Sequence, residues 1–541
     1  MRQGKEKYLL YISVCAAFLP TLLLRDPTPA NELRYLSIAD EALRNHTFFA
    51  FTNHGVPYAD KPPLYFWIIM LFRWIMGCHK VWLLSLFSLL PALSVVRIMD
   101  KWTVTETDWE SRSLARIMLL TCGLFFGAAF ILRMDMLMCM FIVLALRSFW
   151  RIMTREDKAG RERWLLPLWI FLAVFTKGPI GLLVPFASTV VFLILRRRSK
   201  EIFRYWGWRT LGVLLVCCLL WFTAVYAEGG SGYLYDLLFQ QTAGRAINSF
   251  HHAEPFYYYG LSIWYCLAPW SLLIVGVIVA SLSPKFVRTD LQCFFLCTGI
   301  TSLVLLSCIS SKLEIYMLPS LPFLIYAAAM SLSRFRDNIW MRMALTVPSV
   351  GFSLALPAIV ILARQEDMPY LNEGLPYAVA TILTLTGAYS LYLLYMKQEA
   401  NAPEYGRYRI KRQADNAQVI KHLGAGMLIA LFVGGWIWPK LNAYTGYGTL
   451  FRDAQELSKE YKIKEIRTWN LPRSENMDIY MGHAVDVVQT ATPPVYDGKP
   501  FLLLTKKNNL KVFQKQETHT TGKYAIVVFR ERHNNGDAEK E

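Results

Sequence analysis

The chain has 541 residues, 54% of them hydrophobic and 18% charged, with a formal net charge of +17. Its apolar residues recur in runs of roughly 16–25, long enough to cross a hydrocarbon core as a helix, which excludes an ordinary water-soluble multidomain protein. The basic residues gather in short loops between these runs, with no basic groove or module signature, so the charge reads as orientation in a membrane and not as nucleic-acid recognition.

The N-terminal Met-Arg-Gln-Gly-Lys-Glu-Lys and the apolar run 8–24 have the form of a signal peptide. Thr28-Pro29-Ala30 is a poor cleavage site, and the expectation is an uncleaved first span. Further spans are predicted near 80–98, 114–131, 135–152, 164–176, 179–195, 210–227, 257–282, 291–309, 314–332, 341–362, 375–396 and 424–440, about thirteen in all. With the N-terminus in the cytoplasm, alternate loops collect the cations: Arg97, Lys101, Arg112 and Arg116, then Arg151 to Arg163, then Arg196, Arg197, Arg198 and Lys200. Lys285 and Arg288, then Arg334, Arg336 and Arg342, then the cluster from Lys397 to Lys421 follow on the same side. The opposite loop 364–373 carries Glu366, Asp367 and Glu373 against Arg364.

Segment 64–77 is apolar, but it is 14 residues long and interrupted by Arg73. Counting it as a span would reverse every later loop, so it reads as an interfacial or re-entrant helix within a first external loop, 25–79. The odd count then puts the region after 440 outside. There 449–461 has a helical pattern, while IKEIRTW, MDIYMG, PFLLLTK and YAIVVFR read as short strands. The fold class is therefore an all-α polytopic membrane domain, 1–440, with a small external α/β domain, 441–541, ending in a polar tail from Asn534 expected to be disordered. The ten cysteines lie mostly inside apolar runs, none after 308 and none in CxxC spacing, and read as small buried hydrophobes.

On this topology the outward-facing polar residues are few. In the first loop Thr28 and Pro29 start a helix whose Leu33, Leu36, Ala39 and Leu43 recur at helical spacing. Asn31 and Glu32 fall in its first turn, either as part of a well-capped surface helix or where free N–H groups favour an anion. Asp60-Lys61-Pro62-Pro63 puts a cation at the outer surface, against the inward trend, where it either snorkels or holds a lipid phosphate. Arg133-Met134-Asp135 sets a carboxylate at a membrane boundary, a functional candidate or a partner for Arg133. Lys177 sits in another outer turn. Arg245 suits bidentate phosphate binding, and His252 is a metal ligand, a proton carrier or neither. Ser311, Lys312 and Tyr316 complete the set. Four outward cations, Lys61, Lys177, Arg245 and Lys312, fit a phosphate-bearing ligand at the outer leaflet.

These residues carry a resemblance to the polyprenyl-phosphate-sugar glycosyltransferases of the GT-C membrane fold, in particular the bacterial lipid A aminoarabinose transferases and the protein O-mannosyltransferases. The first-loop motif, Asp-Glu-x-Arg-Tyr in the family, reads Asn31-Glu32-Leu33-Arg34-Tyr35. The acidic-Lys-Pro motif is Asp60-Lys61-Pro62, the second aspartate is Asp135, and the Thr-Lys-Gly turn is Thr176-Lys177-Gly178. Arg245 precedes His252, Pro255, Phe256, Tyr257 and Tyr258, and Ser311-Lys312 leads to Tyr316, Leu318 and Pro319, where the family often has an extra Gly-Lys.

The resemblance implies a sugar donor on a polyprenyl phosphate, an acceptor that is lipid A or a protein, inversion at the anomeric carbon, and a bacterial inner membrane location with the active site facing the periplasm. It implies that Lys61, Arg245, Lys312, Tyr316 and Lys177 hold the donor phosphate, and that Asp135 and Glu32 position or deprotonate the acceptor. Asp60 and His252 share a divalent metal or hold the first loop. Asn31 departs from the family aspartate, and an amide cannot act as a base. An acceptor phosphate, already ionised near neutral pH, tolerates that change better than a hydroxyl. A flippase would carry charges at the bilayer centre or an internal repeat, and a polysaccharide ligase a large late loop; the sequence has neither.

Overall fold

The fold is taken from a computed structural model that describes residues 2–155, 160–244, 253–283, 286, 288–335, 338–365, 368–395, 398–399, 411–412 and 416–530. Arg245, His252, the charged residues Lys158, Lys285, Arg336, Glu366, Asp367 and Lys397, and the tail from Asn534 lie outside the described residues.

Each of the thirteen predicted segments is mainly helical over its described residues, but they are not equally long or continuous. Eight described helices are apolar and long enough to cross a membrane, and a ninth span follows if Ile339–Ser353 and Ala355–Leu362, bent by 42°, count as one. The other four are short or broken. Segment 114–131 divides into Trp109–Leu120 and Gly123–Ala128, and 257–282 into Tyr258–Cys266 and Ser271–Ser281. Glu162–Lys177 and Ile180–Leu195 have 16 residues each, about 24 Å of helix. Hydropathy registers the apolar run and is blind to a break inside it, which is why a count of thirteen full spans is not reproduced.

Ion pairs show which helix ends lie together. Lys7, at the start of the first helix, meets Asp100 at 2.5 Å, near the end of Val81–Trp102. Arg116 joins the same carboxylate at 2.5 Å. The chain therefore runs away from that end through Arg2–Leu24 and back through Val81–Trp102, with the whole loop 25–79 at the far end. The helix Leu64–Met76, only 13 residues, stays there: Arg73 and His79 both bond Asp40 of the helix Arg34–Asn45, at 2.8 and 2.9 Å.

The C-terminal region packs the helix Gly448–Glu460 on a five-stranded mixed sheet. Its order is 486–488, 465–469, 501–506, 524–529, 517–521, parallel across the first three strands and antiparallel beyond. Leu502, Leu504, Ile526 and Val528 face the helix, while Phe501, Leu503, Val527 and Phe529 cover Trp469 and Phe513 on the other side. MDIYMG is not a strand. It is a helical turn, Asp478–Met481 ended by Gly482 at φ 73°, and strands 486–488 and 517–521 complete the sheet in its place. Met477, Ile479 and Met481 alternate as a strand would, but the left-handed Gly482 closes a helix there. This domain docks on the loop end of the membrane domain: Leu33 joins its core, and Asn442 accepts from the Asp26 N–H at 3.0 Å.

Candidate active site

Glu32 is fully buried and saturated. Arg25 binds it with both guanidinium nitrogens, at 2.6 and 2.7 Å, and it accepts from the Thr28 N–H and hydroxyl, both at 2.8 Å, and from the Leu132 N–H at 2.7 Å. A carboxylate with five donors around it has no free lone pair for an acceptor proton. Its geometry ties the start of the loop to the 129–134 turn. Thr28 has no side-chain cap bond of its own; the carboxylate reaches back to it instead.

Asp135 opens the helix Asp135–Thr154 and is 1% exposed. It accepts from Arg133 Nε at 3.1 Å and contacts the Lys177 ammonium. Lys177, at the last residue of Glu162–Lys177, lies 4.5 Å over the centre of the Tyr316 ring. Lys61 pairs with Asp60 at 3.3 Å, and Tyr58 donates to Asp60 at 3.1 Å. Arg34 links the two loop motifs. It donates to the Asn31 amide oxygen at 3.1 Å and lies 5.3 Å over the Tyr58 ring. Tyr35 is enclosed between them. Burial pushes its hydroxyl up to about 12, Arg133 pulling it back and Asp135 adding to the rise.

A cavity of about 360 Å³ is lined by Asp60, Lys61, Lys177, Ser311 and Tyr316 together with an apolar wall that includes Trp221, Phe222, Leu237 and Leu238. Lys312 and Asn31 do not line it. The Lys312 ammonium donates to the Glu254 carbonyl at 2.7 Å, beside the bridge that pairs Ala253 with Ser311. A larger cavity, about 1000 Å³, lies between Arg34–Asn45, Leu64–Met76 and the C-terminal domain and holds none of the predicted site residues. Of the expected metal pair only Asp60 is described, and among the described residues no three His, Cys, Asp or Glu side chains are grouped to hold a metal.

Sequence reasoning passed over Arg25, Tyr58, Trp221 and Phe222, and weighed Arg133 only as a partner. Arg25 had a signal, a cation at the outer end of the first span against the inward trend. Trp221 and Phe222 had none, since any span is apolar.

The architecture is that of the GT-C membrane fold. Over 98% of both chains it superposes on ArnT from Cupriavidus metallidurans bound to undecaprenyl phosphate, with a TM-score of 0.74 and 16% sequence identity. In sequence the chain is similar to undecaprenyl phosphate-alpha-4-amino-4-deoxy-L-arabinose arabinosyl transferases. It is 25% identical over 322 residues to that of Erwinia tasmaniensis, 58% of this chain and 57% of the relative. It is 24% identical over 394 residues to that of Shewanella sediminis, 72% and 70% of the two chains. The chain thus spans little more than half the length of the first of these relatives. No protein-family model matches it.

Proposed function

We propose that the chain is an inverting glycosyltransferase that moves a sugar from a polyprenyl phosphate to a phosphate of lipid A, at the periplasmic face of a bacterial inner membrane. The observation that carries this reading is the cavity whose lining joins two lysines, Lys61 and Lys177, to an apolar wall. Such a wall suits a polyprenyl chain, and the cations suit its phosphate. The likeness to transferases named for an undecaprenyl-phosphate donor supports the reading. The outward placement rests on the charge of the alternate loops.

In this mechanism an acceptor oxygen attacks the anomeric carbon on the face opposite the donor phosphate. The carbon–oxygen bond to that phosphate breaks, and its electron pair leaves with the polyprenyl phosphate. Lys61 and Lys177 stabilise the charge that develops on the leaving oxygen. Tyr316 holds the Lys177 ammonium from below its face, and Asp135 orients Lys177 and Arg133. Lys312 fixes the 310–316 turn, and the motif resemblance assigns Arg245 to the donor phosphate. Glu32 anchors the loop. An ionised acceptor phosphate needs no base, which accommodates Asn31. Asp60 fixes Lys61.

The test is mass spectrometry of lipid A and of envelope glycans with and without the gene. Loss of one sugar mass from lipid A is the expected result. Unchanged lipid A with loss of sugar from a protein would move the acceptor to a protein hydroxyl.

A further inference from the structure

Another cleft, about 660 Å³, opens where the C-terminal domain meets the start of the first loop, and nothing in the proposed mechanism uses it. Its cations are Arg473, Lys506, Lys507 and Lys523. Arg473 has a carboxylate nearby, Glu475 at 3.7 Å, whereas among the described residues no acidic side chain lies within ion-pair distance of the three lysines. No acidic side chain lines the cleft among the described residues either. The backbone forces two of these lysines together: the Lys507 N–H donates to the Lys523 carbonyl at 3.0 Å, and Lys506 pairs with Tyr524 across the sheet. Burial, and then the charge of Lys506, hold the Lys523 ammonium below its usual value. Cations gathered on one lining with no acid among them favour an anion there.

The rest of the lining is not a flat charged face. Tyr444, Pro369 and Pro472 form its walls, with Tyr444 braced by Tyr370 at 5.1 Å. Tyr447 and Tyr524 pack 5.3 Å apart at its base. Aromatic and proline faces beside convergent cations suit a pyranose ring that bears phosphate or carboxylate, more than they suit a planar membrane surface. Pro29 and Ala30 form its edge, next to Asn31.

We propose that this cleft binds an anionic saccharide, the phosphorylated or carboxylated sugar portion of the acceptor, and so holds the acceptor by its head group while its reactive phosphate reaches the cavity. The identity of the ligand as acceptor rests on the function proposed above; the binding itself does not.

The experiment uses the full-length protein in nanodiscs of neutral lipid, without sugar donor. The probe is a deacylated, bisphosphorylated glucosamine disaccharide, titrated against the same sugar without phosphates. The wild-type protein is expected to bind the phosphorylated probe, with affinity falling as salt rises. The Lys506→Glu/Lys523→Glu variant and, separately, Arg473→Ala/Lys507→Ala are expected to bind about tenfold or more weakly at unchanged melting temperature. Equal binding by the variants, or equal binding of the unphosphorylated sugar, overturns the proposal. Absence of disaccharide binding together with protection of Lys506 and Lys523 from amine labelling by phosphatidylglycerol vesicles also overturns it, in favour of a membrane contact. Since the donor is absent here, a separate transfer assay that fails would sink the proposed reaction and leave the cleft standing.

Discussion

The first external loop and the cavity beside it are built from the same residue types with opposite charge logic. In the loop the two buried glutamates are surrounded. Glu32 takes Arg25 and three other donor groups, and Glu41 takes the Thr52 hydroxyl and the His54 and Gly55 N–H groups at 2.5–2.9 Å. From outside the loop, Glu228 of the helix Trp208–Tyr235 takes three successive loop N–H groups, of Phe48, Phe49 and Ala50, at 2.5–2.8 Å. Around the cavity the balance reverses: the lining residues Lys61, Lys177 and Asp60, with Asp135 that meets Lys177 and its partner Arg133, set three cations against two acids. A buried acid whose lone pairs are filled holds a backbone in place. A surplus of oriented cations at the end of an apolar wall is a place for an anionic lipid. The difference separates residues that shape the site from residues that act in it.

The strongest way to break this comparison is Glu32→Gln. Removing one partner of a buried ion pair costs about 3–5 kcal/mol. The variant is expected to melt at much lower temperature, while the fraction that stays folded transfers sugar normally. A variant of normal stability and no activity would make Glu32 a chemical group.

Lys177→Met is the converse. Loss of one charge-stabilising donor lowers turnover by about 10²–10³-fold. Transfer assays alongside melting curves should show the rate collapsing with the fold retained, and Asp135→Asn and Arg245→Ala should follow it. Tyr316→Leu sharpens the same point. Removing the ring beneath Lys177 forfeits about 1–2 kcal/mol, and the expected loss is about tenfold in turnover with donor binding also weakened.

The smallest effect is on pH. Burial raises the Glu41 carboxyl, but the bonds from Thr52, Gly55 and His54 outweigh it and hold it below the usual carboxylate range. A depressed folded value means the stabilisation is present above the ordinary carboxyl pKa, about 4.3, and fades as pH falls through the folded value. Hydrogen exchange of residues 52–56 should quicken over that acidic window, and Glu41→Gln should remove the dependence.

Much of this layout was legible in the sequence because charge and hydropathy constrain each other. A cation-rich loop must fall on one side, so Arg73 and the short run 64–77 could be denied a crossing, and the Lys7–Asp100 contact agrees. The same reasoning brought Lys61, Lys177, Asp135 and Tyr316 to one end. What it could not give was saturation. Nothing about Glu32 in the sequence tells that Arg25, seven residues earlier, and Leu132, a hundred later, close around it. It also missed strands 486–488 and 517–521, the one three residues long, the other a polar Glu-Thr-His-Thr-Thr edge with no apolar alternation.

The most direct measurement is in vitro transfer with the purified full-length chain in nanodiscs, polyprenyl-phosphate sugar and lipid A, read by mass spectrometry. A gain of one sugar on a lipid A phosphate, with release of polyprenyl phosphate, lost in Lys177→Met and kept per folded molecule in Glu32→Gln, is the predicted result. An intact donor in the presence of folded wild-type protein and lipid A, or transfer undiminished in Lys177→Met, would contradict it.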